Sequence, residues 1–162
     1  MPLENQDTLH TIAEIAVALA GFTGIVTVFG SRSAQSAPQD ALRLRQLFRS
    51  SLSALFCSLA PILISMVNTD SQQVWKLSCA VVAAVMAINL RKFWARITFK
   101  DLPRSQKIYF VIGPAIVIAL ISAALGETLD PRFTVFSGLL WMLWVASQNF
   151  LLLLGSYISD DG

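Results

Sequence analysis

Asp7, His10 and Glu14 stand at positions i, i+3 and i+7. An α-helix advances about 100° per residue, so this spacing sets the three side chains on one stripe with Thr11, and the stripe continues through Ala18, Gly21 and Ile25. Glu14 is the one acidic residue inside an apolar run, the segment Thr11 to Gly30. An ionised carboxylate in hydrocarbon costs about 2.5–3.5 kcal/mol at the centre of a span and less near its end, so this face is expected to turn away from lipid. The pattern predicts a cation or proton site at an outer vestibule, formed by Glu14 with Asp7 and His10. The competing reading has Glu14 reaching interfacial water or a second helix and only fixing packing. One imidazole and two carboxylates form a sparse donor set, so no metal and no cofactor is expected.

Two further groups of polar residues lie in apolar surroundings. Ser51, Ala54, Ser58, Pro61 and Ser65 recur at steps of three and four. This small, hydroxylated stripe suits either close helix packing or the wall of a hydrated path, and packing is the simpler use. Pro61 lacks an N–H for the carbonyl of Cys57, which predicts a kink and an acceptor left for Ser58 or water. Ser147, Gln148 and Asn149 form a polar triplet in another apolar run, with Gln148 on a stripe shared by Trp141 and Trp144. Interhelical hydrogen bonds would explain the triplet, and ligand or ion coordination is the sharper alternative.

The elements that must position these residues follow from composition. Of 162 residues 55% are hydrophobic and 14% charged, against about 25% charged in soluble domains. A soluble domain of this length could not hide so much apolar surface, whereas a bilayer requires it. Apolar segments run over about 11–30, 47–67, 74–95, 108–126 and 133–157. The predicted fold is an all-α polytopic membrane bundle of about five transmembrane helices in a single domain, 1–162, with four spans plus one interfacial helix as the alternative. The third segment is the weakest, being free of charge only from Leu77 to Leu90. It spans if Arg91 and Lys92 extend to the headgroups, with Trp75 and Trp94 at the interfaces.

Charge then orients the spans. Ten of the twelve basic residues fall in alternate connections: Arg32, Arg43, Arg45 and Arg49 beside the first, and Arg91, Lys92, Arg96, Lys100, Arg104 and Lys107 in the third. Lys76 and Arg132 share the other side with Asp70, Glu127 and Asp130. Basic connections stay cytoplasmic, so the N-terminus is predicted outside and the C-terminus inside. The partners expected of the basic loops are anionic lipid headgroups, not nucleic acid. Ser31 to Asp40 reads as a flexible loop, and part of the stretch Arg91 to Lys107, with Phe93, Trp94, Ile97 and Phe99, reads as lying in the inner interface. Acidic residues before the first apolar run argue for a retained helix rather than a cleaved signal.

Small faces recur at Ala16, Ala20, Gly24, at Ala80, Ala84, Ala87 and at Ala115, Ala119, Ala123. They are more numerous than one protomer of five helices needs, which points to a homo-oligomer. Cys57 and Cys79 lie at different depths of their runs, so no disulfide is expected between them. The sequence holds no zinc-protease, serine-hydrolase or phosphate-loop motif, and an enzyme is not expected. Ala13-Glu14-Ile15-Ala16-Val17-Ala18-Leu19-Ala20-Gly21-Phe22-Thr23-Gly24-Ile25-Val26 resembles the opening helix of small uncharacterised bacterial multi-span membrane proteins. That resemblance implies a bacterial inner membrane and no particular activity. The leading expectation is a small homo-oligomeric channel or transporter for a cation or proton, with Glu14 at its outer mouth and the serine stripe beside the path. The alternative is a noncatalytic membrane scaffold or accessory subunit.

Overall fold

The computed structural model describes residues 5–30, 38–68, 70–94, 104–126 and 129–159. Among them every regular element is helical: α1 (Gln6–Gly30), α2 (Pro38–Val67), α3 (Ser71–Trp94), α4 (Arg104–Leu125) and α5 (Pro131–Ser159). Lipid offers no partner to a peptide N–H or C=O, and a helix satisfies both within one segment. Four described helical stretches are long and apolar enough to cross a bilayer: Gln6–Ile25, Leu42–Val67, Ser71–Lys92 and Pro131–Gly155. The described apolar part of α4, Val111–Leu125, is shorter. The third segment, the weakest in the sequence, therefore qualifies as a span.

Each helix starts before its apolar run, because a helix continues into the polar interface wherever its terminal groups find partners. α1 starts at Gln6, five residues before the run at Thr11. α2 starts at Pro38, so Pro38, Gln39 and Asp40 are helical rather than part of the loop expected at Ser31 to Asp40. A proline in the first helical turn loses no hydrogen bond. Residues 31–37 and 95–103, with the side chains expected at the inner interface, lie outside the described residues. On the other side, Asp70 Oδ1 accepts from the Gln72 N–H at 3.0 Å and caps α3. Asp130 Oδ1 accepts from the Arg132 N–H at 2.9 Å and caps α5, with Pro131 as its first residue. Two of the acids on the sparsely basic side are thus committed to helix capping.

The chain divides into two compact units, one built on Ala60–Trp141 and the other on Asn5–Leu59 with Met142–Gly162. In the first, α3 buries Trp75, Cys79, Val82 and Met86, at steps of four, three and four, together with Leu120 and Ala123 of α4 and Val135 and Leu139 of α5. Trp75 stacks at a tilt on Phe136, 5.9 Å between ring centres, and the Cys79 thiol donates to the Pro131 carbonyl at 3.3 Å. In the second unit Leu47, Ala146 and Leu153 form a buried cluster flanked by Leu19, Leu44 and Phe150. Phe22 meets Phe150 there at 5.5 Å. Outward faces are apolar: Phe56, Leu63, Val111, Ile118 and Leu140 are each more than half exposed. Such surfaces suit hydrocarbon and would aggregate in water. The chain is thus built as a small integral membrane protein, an all-helical bundle.

Gly138 marks where α5 runs closest to its neighbours. A Cβ at this position would sit 3.0 Å from Val82 Cγ1 and 3.3 Å from Leu120 Cδ1. Replacing Gly138 with Leu forces these helices apart and is expected to cost about 1–3 kcal/mol, seen as a lower unfolding temperature in detergent. Gly155 has nothing within 4 Å of such a Cβ, and Gly155→Ala should leave that temperature unchanged or slightly raised.

Candidate functional site

The serine stripe of α2 lies mostly in buried positions. Ser51 and Ser58 are fully buried, and Ser65 is half-buried. Ser51 Oγ donates to the Leu47 carbonyl at 2.9 Å, Ser58 Oγ to Leu55 at 2.8 Å, and Ser65 Oγ to Ile62 at 2.7 Å. Each hydroxyl proton is thus held by its own helix, as buried serines in membrane helices commonly arrange. Ser58 bonds Leu55 and not the Cys57 carbonyl that Pro61 frees, so the expected repair of that acceptor by Ser58 does not occur. The helix nevertheless continues through Pro61, which is itself buried.

The polar triplet of α5 behaves alike. Asn149 Nδ2 donates to the Val145 carbonyl at 2.7 Å, one turn back on the same helix rather than across to another. Ser147, Gln148 and Asn149 are all half-buried, and Trp144 is exposed. Among these, Gln148 keeps an amide with no bonded partner among the described residues.

α1 presents the reverse arrangement. Its buried seam is Leu9, Ile12, Ala13, Ala16 and Thr23, a face free of charge. Every member of the predicted stripe lies on the other side: Asp7, His10, Thr11, Glu14, Ala18, Gly21 and Ile25 are all exposed. The stripe expected to turn from lipid is therefore left uncovered by the chain's own helices. The structure does place Asp7, His10 and Glu14 on one face, as their spacing predicts. His10 Nε2 lies 3.4 Å from Gln6 Nε2, and Thr11 Oγ1 donates to the Asp7 carbonyl at 3.0 Å. Glu14 has no hydrogen bond or ion pair among the described residues. α1 has 25 residues, so Glu14 is four residues, or about 6 Å, from the central Ala18. A hydrocarbon core of about 30 Å centred on this helix encloses it. No group of three or more metal-binding side chains occurs among the described residues.

Sequence reasoning could not see that α3 also leaves its small face open. Ala80, Ala84 and Ala87 are exposed, as are Leu77, Val81 and Ile88 around them. On the small face of α4 Ala115 is exposed, Ala119 half-buried and Ala123 buried. Half-buried Lys76 stands one turn before Ala80 on the same stripe and, like Glu14, has no ion pair among the described residues. No family model matches this chain, and comparison with curated proteins and with solved structures likewise finds no match.

The self-bonded serines lead to a prediction that distinguishes packing from a conducting wall. Ser58→Ala should be tolerated, with a cost of about 1 kcal/mol or less, since one local bond is lost and the space stays filled. Ser58→Leu should cost about 1–3 kcal/mol by overfilling a fully buried position. Thermal unfolding of the two variants in one detergent checks the order.

Proposed function

We propose that the protein is a homo-oligomeric channel or transporter for a cation or proton in a bacterial inner membrane, with its N-terminus outside and its C-terminus cytoplasmic. The observation that carries this reading is Glu14, an acidic side chain inside the hydrocarbon length of α1, exposed and unpartnered among the described residues. A carboxylate in that place is stable only with water, a cation, a proton or a basic partner beside it. Asp7 and His10 continue the same face toward the end of the helix and offer a polar approach to it. A ring of copies would gather one such face per subunit along a hydrated seam. The serines of α2 support the bundle, so the polar route runs along the α1 edge. Arg45, Arg91 and Lys92 are exposed and would meet anionic headgroups on the cytoplasmic side.

A second reading is favoured by the open Ala80, Ala84, Ala87 face: a noncatalytic scaffold or accessory subunit whose small faces dock a larger complex. Isolation in mild detergent separates the two, a stable complex with other proteins favouring the scaffold. For transport, proteoliposomes carrying wild type should pass protons or a monovalent cation above the rate of empty vesicles. Glu14→Gln, which keeps size and removes charge, should lower that flux about tenfold or more, equivalent to at least about 1.4 kcal/mol. Equal flux from both proteins, or none above empty vesicles, removes the transport reading.

A further inference from the structure

α1 and α3 carry two open faces that match each other in order. Along α1 the exposed stripe reads Glu14, Ala18, Gly21; along α3 half-buried Lys76 leads the exposed Ala80, Ala84, Ala87. Each begins with one charge and continues as a small-residue track, and the two charges are opposite. Each charge precedes the midpoint of its own helix, Lys76 by about 10 Å in α3, which runs from Ser71 to Trp94, and Glu14 by about 6 Å in α1, which runs from Gln6 to Gly30. The alternation of basic connections in the sequence predicts that the two helices run in the same direction.

We infer that copies of this chain assemble head to tail, α1 of one copy against α3 of the next, with Glu14 of the first paired to Lys76 of the second. The alternatives fail on charge. An α1–α1 contact would set Glu14 against Glu14, and an α3–α3 contact Lys76 against Lys76, and two like groups sharing a site cannot both stay charged without cost. The α1–α3 contact satisfies both groups and lets two small faces approach closely, the usual means of holding helices together where lipid removes the hydrophobic drive. Because the two surfaces differ, the contact is heterologous, and copies joined by it continue as a ring or an open row rather than stopping at a dimer. The inference rests on the homo-oligomer part of the functional reading and not on transport. Under the transport reading, Lys76 neutralises Glu14 until a cation or proton takes its place.

Disulfide cross-linking tests it in the full chain in native-like vesicles. Ala18→Cys and Ala84→Cys place one thiol near the midpoint of each helix on its exposed face, while Cys57 and Cys79 are buried. The double variant should give a cross-linked ladder beyond the dimer, and each single variant should stay monomeric. A dimer from Ala18→Cys alone, or no ladder from the double variant, overturns the interface. Charge reversal supplies the second arm. Glu14→Lys and Lys76→Glu should each lower the oligomer-to-monomer ratio in mild detergent about tenfold, and the combined swap should restore most of it. A swap no better than its parts overturns the pairing, with helicity and a monodisperse monomer confirming that each variant folds. Flux measured on the same proteins keeps the readings apart: a ladder without flux removes transport and leaves the interface standing, and flux without a ladder does the reverse.

Discussion

In hydrocarbon a polar group must find its partner inside the protein, and the structure of this chain follows from that requirement. The backbone meets it by remaining helical throughout its described spans. The buried hydroxyls of Ser51, Ser58 and Ser78 meet it by returning to carbonyls three or four residues back. Asn149 follows with its amide. Asp70 and Asp130 meet it at the membrane edge, where free N–H groups of α3 and α5 would otherwise lack acceptors. Once these needs are met locally, the helices are free to pack by shape, and small residues such as Gly138 set how closely they approach.

Against that background the unmet groups carry information. Glu14 and Lys76 have no local carbonyl or carboxylate to turn to among the described residues, and both stand on faces the protomer leaves open. A soluble protein would hydrate such groups at little cost. A membrane protein either covers them with another copy or uses them to handle charge, and one interface can do both. The Trp75 indole N–H, buried without a partner among the described residues, is of another kind: its ring fills a packed position on Phe136, and the packing outweighs one lost bond.

The distribution of residue sizes is also physical. Within each unit the seams mix large side chains such as Leu9, Ile12 and Leu47 with small ones such as Ala16 and Ala146, which lets the helices approach closely. The outward faces mix sizes too, with Phe56 and Leu63 exposed as well as Gly21 and Ala84, because lipid covers apolar side chains of any size.

Composition and the lengths of the apolar runs were enough to determine an all-helical membrane bundle, since lipid allows few other ways to hide so many apolar residues and satisfy their backbone. The shared stripe of Asp7, His10 and Glu14 was legible too, because helical periodicity is a local property. Helix ends were less so: α1 and α2 extend beyond their apolar runs, as capping and the interface set where a helix stops, and hydropathy does not. Which side of α1 packs inward, and that α3 keeps Ala80, Ala84 and Ala87 open, depended on competition among faces for a limited interior. Periodicity groups residues onto a face, but only tertiary packing decides which face wins the core, and here it left outside the one that carries Glu14.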